Sequence, residues 1–186
     1  MITFISTSYK ETYEAYLFIS SLLLQTNKNW KCIIYNDGKN NFVKDVVTHF
    51  NDNRISYYES PISRGFWGHY SRIDALDLVD TEFLIQTSIQ DYYIPSAVDD
   101  ILSMSKISDI ILFNSLHNHF RYKVLSCVPQ INRVDWGSHA IRTDIAKKIG
   151  IRLPKSSTSD GYFVVDCMNY PGIRYHKIEK VLTVHN

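Results

Sequence analysis

The sequence predicts an α/β domain with a mostly parallel central sheet flanked by helices, and three observations predict it. Short apolar runs alternate with helix-length segments through the first hundred or so residues. Turn chemistry, above all Asn36-Asp37-Gly38, closes those runs. Polar and aromatic clusters follow the runs where strands would end. Strand and helix in alternation is the pattern of parallel strands joined by crossover helices.

Each element has its own reason. Residues 2–6 are an apolar run ending in small polar residues and read as a buried strand. Residues 14–24 carry Tyr16, Leu17, Leu23 and Leu24 at near-helical spacing. Residues 27–29 form a loop, and residues 30–35 (WKCIIY) a second strand stopped by Asn36-Asp37-Gly38. A helix over 42–50 and a short strand over 55–58 follow. Residues 65–68 are a glycine-bearing loop that opens a helix over 69–78. Residues 82–86 (EFLIQ) form a fourth strand. Pro95 opens a helix running to residue 104, since proline is tolerated in a first helical turn. Residues 109–114 form a fifth strand. The second half is less regular. Residues 118–133 fit either a strand pair or a long loop. Residues 144–149 read as a short helix closed by Gly150, 155–159 as a polar loop, 161–169 as a helix and 178–184 as a last strand.

Composition narrows the function. The 186 residues suit one domain with a substantial core. The net charge is +1, with Lys and Arg scattered among acids, which argues against nucleic acid as a partner. Three widely spaced cysteines, Cys32, Cys127 and Cys167, give neither a disulfide framework nor a zinc knuckle. A reduced, cytoplasmic setting is expected. The first residues lack the basic and apolar regions of a signal peptide. No run approaches the length needed to span a bilayer. Peripheral membrane contact needs no such run and stays open.

In an open parallel sheet the ligand crevice lies beyond the carboxyl ends of the strands. The residues there are 7–11, 36–39, 60–72 and 87–93. Thr7, Ser8, Tyr9 and Glu11 follow the first strand. Tyr9 can stack on a nucleotide base, and the same residues can cap the next helix. Asp37 can accept the imino N–H of uracil or simply shape a turn. Arg64, His69 and Arg72 suit diphosphate oxygens near a helix start, though a lone arginine is usually a solvated surface group. Gln90 and Asp91 follow the fourth strand. Asp91 can hold a divalent cation through hard oxygen or flank the loop before Pro95. Asp160 can be a general base or a helix cap. Asp135 and Trp136 can line an acceptor pocket, and Trp136 can equally be a core residue. His185 can offer an imidazole to a metal, though a lone histidine is usually structural or solvated.

The order of these features is more specific than any one of them. The opening ISTSYKETYEAYLFISSLLLQTNKNWKCIIYNDG resembles family 2 glycosyltransferases, with Ser21, Leu23, Gln25 and Thr26 ending the helix before Asn36-Asp37-Gly38. The stretch GFWGHYSRIDALDLVDTEFLIQTSIQDYYIP resembles that family's glycine loop, arginine-bearing helix, strand and metal motif. The resemblance covers residues 2–101. It implies a GT-A fold, a nucleotide-diphosphate sugar donor, often UDP-linked, and Mn²⁺ or Mg²⁺. It implies that Thr7, Tyr9 and Asp37 hold the nucleotide and that Arg72 lies near the diphosphate. VDWGSHAIRTDIAKKIG and TSDGYFV resemble the acceptor-side and base-bearing segments. KVLTVHN resembles the final strand, after which His185 approaches the metal. The expected organisation is one domain, with residues 1–101 as the nucleotide-sugar half and 102–186 as the acceptor half. The expected activity is hexose transfer to a hydroxyl of a glycan-type acceptor, with inversion, as in polysaccharide biosynthesis. One departure stands out: the family's Asp-x-Asp reads Ser88-Ile89-Gln90-Asp91 here, with a neutral amide where a carboxylate is expected. That leaves a non-catalytic nucleotide-sugar-binding domain as the alternative, and a sugar nucleotidyltransferase behind it.

Overall fold

The computed structural model describes residues 1–118, 121–153 and 158–186. It opens with strand β1 (Ile2–Ser8), every residue of which is buried. Helix α1 (Glu14–Leu23) buries Ala15, Phe18, Ile19 and Leu22 along one stripe. Strand β2 (Trp30–Asn36) and helix α2 (Asn41–Phe50) follow. The Asn40 side chain caps α2 by accepting from the Val43 N–H, and Asn51 ends the helix at φ 47°. Then come β3 (Ile55–Glu59), α3 (His69–Asp77), β4 (Phe83–Ser88), β5 (Asp91–Tyr93) and α4 (Ala97–Ser103). The second half supplies β6 (Ile110–His117), β7 (Lys123–Leu125), β8 (His139–Arg142), α5 (Thr143–Ile149), α6 (Ser159–Met168) and β9 (Tyr175–His185).

Among the described residues the sheet runs β3-β2-β1-β4-β8-β6-β9-β5, with β7 paired to β6. It separates two apolar layers. Helices α1, α2 and α4 pack on one face around Phe4, Trp30 and Phe83. Helices α3, α5 and α6 pack on the other around Ile5, Leu84 and Leu112.

The sheet is mixed, which corrects the expectation of a mostly parallel one. The pairs among β1, β2, β3 and β4 are parallel, as is β6 with β9. The pairs β4–β8, β6–β8, β6–β7 and β5–β9 are antiparallel. Strand–helix alternation holds only as far as β4. Strand β8 enters from a short 3₁₀ turn (Trp136–Ser138) with no crossover helix, and an antiparallel strand needs none. The sequence reading also missed β5 and β8, and it started the last strand three residues late. Helix α4 begins at Ala97, two residues after Pro95. Of the stretch 118–133, residues 119 and 120 lie outside the described residues; the described part holds the short strand β7, paired to β6, followed by turns. Of the expected polar loop over 155–159, residues 155–157 lie outside the described residues.

One feature of the topology positions the site. Only Ile89 and Gln90 separate β4 from β5, yet β8, β6 and β9 stand between them in the sheet order. The sheet therefore curls back on itself at this turn. The curl pairs Asp91 with His185 across β5 and β9. It also means that the two expected halves share one continuous sheet.

Candidate active site

The carboxyl ends of β1, β2 and β4 border a cavity of about 360 Å³, within the range of small-molecule sites. Parallel register puts Ser8 beside Asn36 and Thr7 beside Ser88. Of the residues expected from sequence, Thr7, Ser8, Tyr9, Glu11 and Asp37 line the β1–β2 end. Arg72, Gln90, Asp91, Asp135, Trp136 and His185 line the other. Arg64, His69 and Asp160 are not among the lining residues.

At the β1–β2 end the polar groups are tied to one another. The Asp37 carboxylate accepts from the N–H groups of Arg64 (2.8 Å) and Gly65 (2.7 Å) and from the hydroxyls of Ser63 (3.0 Å) and Ser60 (3.4 Å). It thereby anchors the loop that leads into α3. That loop is strained: Gly65, Phe66, Trp67 and Gly68 all have positive φ, from 54° to 73°. A Cβ on Gly68 would stand 3.1 Å from Thr7 Oγ1, so this loop abuts the end of β1. The turn presents Trp67, 60% exposed, to the cavity. Sequence reasoning placed the loop but not this residue. Two glycines flanking Phe-Trp were the available signal. Arg64 itself turns away to pair with Asp74 at 2.5 Å.

At the other end charges converge. Asp91 is 1% exposed. Its Oδ2 accepts from the Thr87 hydroxyl and from the Ser88 N–H (2.8 Å), and its Oδ1 lies 2.7 Å from His185 Nδ1. Asp135 caps the 3₁₀ turn, accepting from the Gly137 N–H at 3.1 Å. Gly137 is required there, because a Cβ would meet Asp91 Oδ2 at 2.8 Å. Burial and then the charge of Asp91 push the Asp135 carboxyl above its usual range. Burial alone would lower the His185 imidazole. The hydrogen bond to Asp91 and the nearby carboxylates outweigh it and raise the group to about 9. The His117 ring lies tilted beside His185, with ring centroids 5.0 Å apart, and was not foreseen.

One ligand atom from each of Asp91, Asp135 and His185 lies within 4.8 Å of the others. Two carboxylate oxygens and an imidazole nitrogen suit a divalent cation such as Mn²⁺. The residues fit the group on electrostatic grounds as well, since a cation would relieve the repulsion between the two carboxylates. Asp135 was expected on the acceptor side, and the structure places it in this cluster. Gln90 lines the same cavity.

Arg72 sets a buried positive charge near these carboxylates. It is 4% exposed and donates from Nη1 to the Thr87 carbonyl at 2.7 Å. Its guanidinium lies 4.9 Å from the centre of the Trp136 ring. Burial lowers it to about 10, a change that Asp91, Asp135 and Asp160 partly offset. His69 and His139 flank Trp136 and are buried, and burial lowers both to about 4. They are neutral at pH 7, so His69 brings no positive charge. Asp160 sits in the first turn of α6 and accepts from the Gly161 N–H at 2.7 Å. Burial raises it to about 7; Asp135 adds to the shift and Arg72 opposes it. Gly161 lets α6 approach closely: a Cβ there would lie 2.7 Å from the Ile131 backbone.

Glycosyltransferases are among the solved structures that this chain resembles. The chain matches S. aureus TarS over 100% of its length with a TM-score of 0.83 and 16% identity, and covers 36% of that chain. It has that fold. It matches TarS 1-349 in complex with UDP-GlcNAc at a TM-score of 0.79 and 14% identity, covering 98% of itself and 57% of that chain. It matches the mannosyltransferase PcManGT from Pyrobaculum calidifontis, in complex with GDP-Man and Mn²⁺, at 0.78 and 11%, covering 98% of itself and 56% of that chain. The chain thus spans less than two thirds of the length of each. No protein-family model matches the sequence, and no curated protein does. No helix among the described residues is long and apolar enough to cross a membrane.

Proposed function

We propose that this chain is a glycosyltransferase domain that moves a sugar from a nucleotide-diphosphate donor, UDP-linked, to a hydroxyl of a glycan-type acceptor. The observation that carries the reading is the convergence of Asp91, Asp135 and His185 on one cavity with the buried Arg72. The shared fold with TarS and PcManGT supports it. Asp91, Asp135 and His185 would hold Mn²⁺ or Mg²⁺, which when bound neutralises charge on a diphosphate leaving group. Arg72 adds a fixed positive charge in a water-poor setting. Trp136 and Trp67 offer flat apolar faces to a sugar or base.

Asp160 is the proposed base. A carboxyl raised to about 7 is matched to proton transfer at neutral pH. The acceptor oxygen attacks the anomeric carbon, the bond to the diphosphate breaks with its electron pair on the leaving group, and the hydroxyl proton passes to Asp160. A single displacement of this kind inverts the anomeric carbon. Gln90 favours a second reading, a domain that binds the donor without turnover.

The test is release of nucleotide diphosphate from UDP- and GDP-sugars with Mn²⁺, beside calorimetric titration with the diphosphates alone. Asp160→Asn is expected to lower turnover by about a hundredfold or more with diphosphate binding unchanged. Intact binding with no turnover by the unmodified chain would favour the second reading. A product of retained configuration would reject inversion.

A further inference from the structure

The Tyr93 hydroxyl is buried next to the carboxylate cluster and touches two of its supports. Tyr93 is 3% exposed, and its ring packs edge-on against Phe4 with centroids 4.8 Å apart. Its hydroxyl lies 3.0 Å from Thr87 Oγ1 and 3.2 Å from the Gly137 carbonyl. Each of these partners is bonded in turn to one of the two carboxylates. The Thr87 hydroxyl meets Asp91 Oδ2, and the Gly137 N–H donates to Asp135 Oδ2 at 3.1 Å. One hydroxyl on β5 thus reaches both β4 and the 3₁₀ turn that Asp135 caps.

The number of protons fixes the direction of these bonds. An ionised carboxylate only accepts, so the single Thr87 hydroxyl proton goes to Asp91 Oδ2. Thr87 Oγ1 can therefore only accept from Tyr93, and the Gly137 carbonyl can only accept as well. The one phenol proton is shared between these two acceptors. Asp91 Oδ2 takes a second donor, the Ser88 N–H at 2.8 Å. Two donors occupy both lone pairs of that oxygen. Oδ1, which lies 2.7 Å from His185 Nδ1, is then the oxygen that can meet a cation. Hydrogen bonds in a chain polarise one another, so donation by Tyr93 strengthens the bond from Thr87 to Asp91. A phenylalanine at this position would keep the packing on Phe4 and lose both polar contacts.

We infer that Tyr93 is a positioning residue for the cation site: through Thr87 it orients Asp91 so that Oδ1 faces the cation, and through the Gly137 carbonyl it holds the turn that carries Asp135. This rests on the cation-binding role proposed above for Asp91, Asp135 and His185. Tyr93 itself touches neither the cation nor the substrate.

The experiment is calorimetric titration of the whole chain with Mn²⁺ alone, for the unmodified protein, Tyr93→Phe, Thr87→Val, Thr87→Ser and the double variant Tyr93→Phe/Thr87→Val. Tyr57→Phe is the control: its hydroxyl, on β3, bonds Glu59 at 2.9 Å and the Asn40 carbonyl at 3.2 Å. Tyr93→Phe is expected to weaken Mn²⁺ binding by about tenfold or more, as loss of an outer partner of a metal ligand does. Tyr57→Phe is expected to leave it unchanged, and Thr87→Ser, which keeps the hydroxyl, to retain most of it. The double variant is expected to lose less than the product of the two single losses, because both act on Asp91. The full product overturns the route through Thr87. Equal losses in Tyr93→Phe and Tyr57→Phe would reduce Tyr93 to general packing and overturn the inference. Mn²⁺ affinity of Tyr93→Phe within about threefold of the unmodified protein overturns it as well, with the cation site left standing. If thermal melts show that Tyr93→Phe fails to fold, the two Thr87 variants decide: a loss confined to Thr87→Val supports the inference, and equal affinities overturn it. Failure of the unmodified chain to bind Mn²⁺ overturns the inference together with the reading beneath it.

Discussion

The two ends of the cavity use polar residues in opposite ways. At the β1–β2 end Asp37, Asn36, Ser8 and Ser60 satisfy one another and the backbone, so the chemistry there is spent on holding a loop. At the β4–β5–β9 end Asp91, Asp135, His185 and Arg72 converge, with Asp160 outside the cavity lining but under the charges of Asp135 and Arg72, and proton affinities there are pushed away from ordinary values in several cases. Saturated polar groups give rigidity, whereas crowded charges give a site that a cation, a proton or a diphosphate can relieve. A rigid end suits recognition of a flat ring, and an unrelieved end suits charge that shifts during a reaction.

pH is expected to separate the two ends most strongly. The folded-state carboxyl of Asp160 lies at about 7, above its unfolded value near 4. The native state therefore binds more protons than the unfolded chain between those values, and stability falls as pH rises through that window. The loss assigned to this one residue is on the order of a few kcal/mol by linkage. Asp160→Asn is expected to flatten the stability profile between pH 4 and about pH 7, as read by urea unfolding at a series of pH values. Turnover should move the other way, rising toward pH 7 as the base form grows. An unchanged stability slope in the variant would show that Asp160 is not held as described.

A second test targets the carboxylate cluster. Gly137→Ala would drive a methyl group against Asp91 Oδ2. Mn²⁺ affinity, followed by calorimetry with the metal alone, is expected to fall by about tenfold or more. Titration with UDP in the absence of metal should be little altered. An unaffected Mn²⁺ affinity would remove Asp91 from the cation site.

The smallest expected effect belongs to the saturated end. Asn40 caps α2 and also donates to the Glu11 carbonyl at 3.1 Å. Asn40→Ala should cost about 1 kcal/mol of stability without changing Mn²⁺ affinity. A metal effect from this substitution would mean that the two ends are coupled.

Much of the fold was legible in the sequence where elements are long and periodic. Helices α1 and α2 and strands β1 to β4 fall within about two residues of their expected bounds, because apolar spacing and turn residues such as Asp37-Gly38 act locally. Strands β5 and β8 were not legible, since three or four residues carry no measurable period. Their pairing depends on distant partners. For the same reason the sheet's mixed character was hidden: direction is set by the path of the connection, and the connections into β5 and β8 contain no helix.

The candidate site divides in the same way. Sequence by itself determined the chemical types at the strand ends, among them Tyr9, Asp37, Arg72, Asp91 and His185, because strand ends in such a sheet are where ligands must bind. It did not determine their roles. The tertiary structure turned Arg64 to Asp74, buried His69 as a neutral group, tied Asp37 to the loop that leads into α3 and carried Asp135 to Asp91. Each of these depends on contacts between different elements of the chain. The curl in the sheet between β4 and β5 pairs Asp91 with His185 in the same way, and no local pattern of residues encodes it.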